Sequence, residues 1–296
     1  MPASIVVALV SALCFAGAAA LQHAATRSIA LAAPPGSAGL ARWLPVLGML
    51  SKMLGDRIWW CGLALNVLGF VLHATALHLG SITVVQALLC VQLMFALPFA
   101  TARFGALPLA RDWIGTAAVS LGIIMLVMTR GSVPQTLERH HLIPVVVASA
   151  MVLMAVLVVA AKAGRKSIRT AVIGTASGVG FSLTAVLTVV VAGQLLHNGW
   201  FAVLSHWHVY GLALSGLIAA ILVQDAFASG SFPAALTAMI VADPLASWLW
   251  GAILFDQTPP TTPAALAGLV FSGLLIGVGV SMLAHSPTIA RSQVAA

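Results

Sequence analysis

Nine stretches of about twenty mostly apolar residues follow one another along this sequence, each long enough to cross a bilayer as a helix. They lie at roughly 4–24, 58–79, 81–102, 112–129, 142–162, 171–194, 208–228, 232–254 and 263–284. In hydrocarbon every backbone polar group needs an internal partner, so such runs fold as helices. Composition agrees: 61% of the residues are hydrophobic and 6% are charged. No soluble core hides that much apolar surface, so lipid has to cover it. The expected fold is an all-α polytopic membrane protein, multi-pass in a cell membrane of the bacterial inner or plasma type. No Lys or Arg precedes Ile5, so there is no basic leader region, and the first run is expected to be a retained span.

The net charge of +7 does not imply nucleic acid, because the basic residues fall between the apolar runs. Arg27, Arg42, Lys52, Arg57, Arg103, Arg111, Lys162, Arg165, Lys166, Arg169 and Arg291 sit on one side of an alternating path. Only Arg130 and Arg139 sit on the other. The excess predicts an external N-terminus and a cytoplasmic C-terminus. The segment 38–54 is too interrupted to span. Trp43, Leu44 and Leu47 share a face there, with Arg42 and Lys52 elsewhere, as in an interfacial amphipathic helix.

The runs also repeat. Residues 62–66 read GLALN and residues 211–215 read GLALS. Each opens a segment that ends in Gly-Ser, at 80–81 and 230–231, and each is followed at once by another span. The stretches FALPFATARFGALPLARDWIG (95–115) and WLWGAILFDQTPPTTPAALAG (248–268) then match in helix end, loop and helix start. Segments one to four thus recur as six to nine. Five crossings separate the copies, an odd number, so they enter the membrane in opposite directions. That is the inverted repeat of secondary transporters, in which substrate binds near the midplane. The expected organisation is a first repeat over 1–130, a fifth helix and basic connector over 131–170, and a second repeat with a short tail over 171–296.

These residues carry a resemblance. The Gly-Ser hairpins and the GAILFDQ stretch (251–257) resemble the drug/metabolite transporter superfamily, within it the EamA and NIPA-like branches, over about 58–130 and 171–284. The resemblance implies two inverted repeats of up to five helices each and transport of a small metabolite or drug. The family pattern has ten helices and a cytoplasmic N-terminus, whereas this sequence predicts nine and an external one. The magnesium-associated pattern has an acid after the Leu-Gly of the second helix. Phe70 stands there, so magnesium transport is the weaker expectation.

Several polar residues inside the runs are candidates for binding or coupling. Gly62, Asn66, Gly69 and His73 share one helix face. Such a stripe either packs helices or lines a wet cavity. Ser215 and Asp225 lie on the corresponding second-repeat stripe. Gln22, Gln86, Gln92 and Gln224 each either contact substrate or bond a neighbouring backbone. Gly174, Gly178, Gly273, Gly277 and Ser281 have small-residue packing spacing. His206 and His208 lack the further ligands of a zinc site, and the three cysteines lack metal or disulfide spacing. No metal or cofactor is expected.

The sharpest candidate is Asp243. It falls about eleven residues into its segment, roughly 17 Å along the axis. An ionised carboxylate at that depth costs about 2.5 kcal/mol or more. Pro244 follows it and frees the carbonyl of Ile240, and such a break is tolerated only against protein or water. The expected role of Asp243 is to take up and release a proton or to bind a cationic substrate group. The alternative is a hydrogen-bonded Asp that joins helices. No catalytic triad, paired carboxylate or nucleotide-binding motif is present, so no enzymatic activity is expected. The sequence predicts a secondary transporter, an exporter or exchanger, acting as monomer or homodimer. The other reading is a membrane scaffold or lipid-handling accessory protein.

Overall fold

The computed structural model describes residues 2–32, 45–79, 85, 88–102, 108–129, 139–164, 166–254 and 262–284. Its helices are α1 (Pro2–Leu31), α2 (Pro45–Leu54), α3 (Arg57–Leu79), α4 (Gln92–Ala102) and α5 (Ala110–Thr129). After a 3₁₀ turn at His140–Leu142 come α6 (Ile143–Ala163), α7 (Lys166–Ser205), α8 (Trp207–Ser229), α9 (Phe232–Leu254) and α10 (Pro263–Ala284). There is no strand among the described residues. Six helical stretches there are long and apolar enough to cross a membrane: Ala3–Leu31, His140–Ala163, Ile168–Leu195, Trp207–Ser229, Phe232–Leu254 and Pro263–Leu283. This is a membrane-embedded helical protein. α3 and α5 occupy the second and fourth expected spans, and the third is described only in part.

Polar residues set the helix starts. The Asp56 carboxylate accepts the backbone N–H of Trp59 at 2.8 Å and so caps α3. Asp112 accepts the N–H of Leu109 at 3.0 Å and closes the first turn of α5. Thr262 accepts the N–H of Ala265 at the start of α10, with Pro263 as its first residue. α2 is too short to span. It buries Val46, Met49 and Met53 and exposes Leu50, Ser51 and Lys52, an amphipathic division. Residues 38–44 of the expected interfacial segment lie outside the described residues. α7 runs past the expected end of its span, and its regular turns break at Gly199, whose φ of 76° is a left-handed value that favours glycine.

The described chain gathers into two compact units. The first comprises Met1–Gly131, Gln224–Thr237 and Pro260–Ala296; the second comprises Ser132–Val223 and Ala238–Pro259. In the first unit α1 and α3 pack antiparallel through glycines. A Cβ at Gly62 would lie 3.1 Å from the Ala18 carbonyl oxygen, and one at Gly69 would lie 3.3 Å from the Cys14 Cβ. α5 and α10 also cross antiparallel, with Gly115 against Gly279 and Gly122 against Ser272 and Ile276. In the second unit α7 is central. Gly180 packs on Met154 of α6 and Ala219 of α8, and Gly178 packs on Met239 and Ala242 of α9. Arg139 caps the end of α9. Its backbone N–H reaches the Leu254 carbonyl at 3.2 Å, and its Nη1 donates to Ile253 O at 3.5 Å.

Candidate functional site

In the second unit Asp243 is half-buried on α9. The Ser247 hydroxyl, one turn on, donates to Asp243 Oδ1 at 3.3 Å. α9 continues through Pro244 without ending. α7 packs on this turn at Gly178, where a Cβ would lie 3.1 Å from the Asp243 backbone nitrogen. Farther along the same face of α9, buried Trp250 donates from Nε1 to Ser182 Oγ of α7 at 3.0 Å. Steps of four and three keep Asp243, Ser247 and Trp250 in one row. Ser215, buried on α8, shares a 3.2 Å hydrogen bond with Thr184 of α7 and donates to the Leu212 carbonyl. α7 thus carries polar contacts to both neighbours, Ser182 to α9 and Thr184 to α8. A carboxylate that keeps a hydroxyl partner and part of its surface open is equipped to exchange a proton or hold a cationic group.

In the first unit the stripe on α3 divides. Gly62 and Gly69 are buried against α1, which is packing. Asn66 is exposed, and His73 is half-buried, its Nδ1 shielded and without a hydrogen-bond partner among the described residues. Gln92 is half-buried at the start of α4, and Asp225 is buried on α8. Gln86 lies outside the described residues. A small cavity of about 10 Å³ opens between α4, α5, α9 and α10, lined by Leu97, Thr116, Phe232 and Thr237 among others. It has room for one water, and the buried Thr237 hydroxyl has no hydrogen-bond partner among the described residues.

The glutamines of α1 and α8 bond side chains and not the neighbouring backbone. Gln224 Nε2 donates to Gln22 Oε1 at 2.7 Å, and Thr26 Oγ1 donates to Gln224 Oε1 at 2.8 Å. They bond each other across helices rather than a backbone. Alongside, His23 Nε2 donates to the Gly230 carbonyl at 3.0 Å, and Arg27 Nη1 to the Ala228 carbonyl at 2.7 Å. Sequence reasoning named the glutamines but missed Thr26, His23 and Arg27. The available signal was the spacing 22, 23, 26 and 27, a polar stripe at the end of an apolar run. At the far end of the second unit, the His206 and His208 rings lie 6.2 Å apart, stacked, and Gln194 donates to His208 Nδ1 at 2.9 Å. No group of three metal-ligating side chains converges there or elsewhere among the described residues.

An uncharacterized protein of Corynebacterium glutamicum is 30% identical to this chain over 260 residues, covering 86% of this chain and 85% of its own length. A match of that length reaches into both halves of the sequence. No family model and no solved structure matches.

Proposed function

The chain belongs to the same family as the Corynebacterium glutamicum protein, and we propose that it is a secondary transporter of a small, partly polar molecule, built on two inverted repeats as in the drug/metabolite transporters. The observation that carries this reading is a duplicated helix crossing. In the first unit, Ser11 of α1 donates across to the Gly69 carbonyl of α3 at 2.8 Å. In the second, Ser177 of α7 donates across to the Ala219 carbonyl of α8 at 3.0 Å. Both serines are fully buried. GLALN and GLALS each lie along one of these crossings, Gly62 against Ala18 and Gln22, and Gly211 and Ser215 against Leu187 and Thr184; the copies differ in detail, since Asn66 is exposed where Ser215 is buried.

A second pair supports the same symmetry. Gly115 and Gly268 end the two matched stretches 95–115 and 248–268. A Cβ at Gly115, at the start of α5, would lie 3.2 Å from the Gly279 carbonyl oxygen near the end of α10. A Cβ at Gly268, at the start of α10, would lie 2.8 Å from Thr129 at the end of α5. A two-fold relation between repeats requires reciprocal contact of this kind, which any antiparallel pair of helices also gives. In such folds access alternates as one repeat rocks against the other. Asp243 is the coupling group: it binds and releases a proton, or holds a cationic part of the substrate, as access changes.

The test is flux. Proteoliposomes containing the purified protein are given a metabolite extract and a pH gradient, and the lumen is analysed by mass spectrometry. Gradient-dependent accumulation of one compound, absent from empty liposomes, is the expected result. No accumulation and no exchange under any gradient would return the chain to a scaffold or accessory role.

A further inference from the structure

The side chains that join α1 to α8 differ in kind from those that join α1 to α3. The α1–α3 seam is made largely of glycines set against the other helix, Gly17 against Leu65, Gly62 against Ala18 and Gly69 against Phe15 and Cys14, with one serine hydrogen bond. A seam packed at backbone distance resists gradual rearrangement. The α1–α8 contact consists of four hydrogen bonds from long or rotatable side chains: Gln22 with Gln224, Thr26 with Gln224, His23 with Gly230 and Arg27 with Ala228. Each can be exchanged for water if that end of the helices becomes wet. Hydrogen bonds between side chains in a membrane protein are weak enough to break and strong enough to bias an equilibrium.

The bonds also fall where a helix depends on them. The last carbonyls of α8 have no intrahelical partner. Arg27 and His23 supply partners to Ala228 and Gly230, and they do so from another helix. The His23 ring lies 5.7 Å from Phe227 at the end of α8 and 5.1 Å from Phe232 at the start of α9, so it grips both sides of the turn. Gly62 of α3 fixes the inner member: a Cβ there would come within 2.8 Å of Gln22 Cγ.

We propose that Gln22, His23, Thr26 and Arg27 of α1 and the Gln224–Gly230 end of α8 form a polar latch that holds this basic end closed, and that its release opens the transport path there. The proposal rests on the alternating-access reading above. It makes these five side chains and two backbone carbonyls a gate rather than a substrate site.

The experiment needs no substrate, so its failure is separate from a failure to find flux. Ala25, buried between the latch residues, is replaced by Cys in the full-length chain carrying Cys61→Ser, which removes the exposed native thiol. Alkylation by a water-soluble maleimide is timed in lipid nanodiscs. The Ala25→Cys thiol is expected to be protected in the parent. Gln224→Leu and Gly62→Ala are expected to speed its labelling by about tenfold, with Thr26→Ser leaving it within about twofold because the hydroxyl is kept. Fast labelling in the parent, or an unchanged rate in both accelerating variants, overturns the latch. Should Gln224→Leu not purify as a monodisperse protein, Thr26→Val replaces it and is held to the same standard.

Discussion

A Cβ on Gly178 would stand 2.6 Å from the carbonyl oxygen of Met239 and 2.8 Å from the Ala242 Cβ. α7 and α9 therefore meet, one turn from Asp243, at a distance only glycine permits. Gly178→Ala is expected to force the helices apart or bend a side chain off its rotamer, at a cost of about 1–3 kcal/mol. Gly273 and Gly277 of α10 make the contrast, since nothing lies within 4 Å of a Cβ added at either. Alanine at those positions should fall within about 0.5 kcal/mol of the parent. Unfolding in mixed detergent compares the three. A Gly178→Ala protein as stable as the other two would contradict the close contact.

The Trp250–Ser182 hydrogen bond ties the same two helices farther along. Trp250 is 2% exposed, so its N–H has no water to turn to if the acceptor is removed. Ser182→Ala should therefore cost about 1–3 kcal/mol. In Trp250→Phe the donor is already gone, and adding Ser182→Ala should then cost much less. A double-mutant cycle measures the difference. Simple additivity would mean the two residues do not act as a pair.

Much of this architecture could be seen in the amino acids alone, because it follows from local pattern. Apolar length placed the six helical stretches long enough to cross a membrane, and Gly230-Ser231 falls at the break between α8, which ends at Ser229, and α9, which starts at Phe232. α2 is amphipathic, as expected for 38–54, but its buried face carries Val46, Met49 and Met53 and not Leu47, which is half-buried. Boundaries were less legible. α1 continues to Leu31 because nothing at 25–31 stops a helix, and α7 runs on regularly to Gly199, whose positive φ breaks it before the stretch that ends at Ser205. Partner choice was illegible. Gln22 and Gln224 are 202 residues apart, and no local rule says that two amides so distant will bond. The glycine stripes show the same limit: Gly178 is pressed on α9, whereas Gly273 and Gly277 with the same spacing logic touch nothing among the described residues.

The duplicated serine ties make the repeat testable without any transport assay. Ser11→Ala and Ser177→Ala each remove one interhelical hydrogen bond from a fully buried site. Bonds of this kind in membrane proteins average about 0.6 kcal/mol. If the two crossings are repeat equivalents, as proposed, the two variants should lose similar amounts, and the double variant should lose the sum, since the ties lie in separate helix pairs. A large loss at one serine with none at the other would weaken the equivalence of the two crossings.

Asp243→Asn separates coupling from packing. Asparagine keeps the size of the side chain and an Oδ1 that can accept the Ser247 hydroxyl, so the 3.3 Å contact survives. It cannot titrate or carry charge. If Asp243 only joined helices, the substitution would leave transport intact, and stability would rise if anything, since burying a carboxylate costs more than burying an amide. If it couples transport to a gradient, uptake driven by a pH gradient should fall to the level of empty liposomes. Exchange of external for internal substrate should persist, because exchange needs no net change in protonation. Ser247→Ala supplies the graded control: it removes the hydroxyl but not the charge, so it should weaken driven uptake without abolishing it. Driven uptake that survives unchanged in Asp243→Asn, in a protein with the parent's unfolding midpoint, would remove Asp243 from the mechanism and leave it a joint between Pro244 and the turn above.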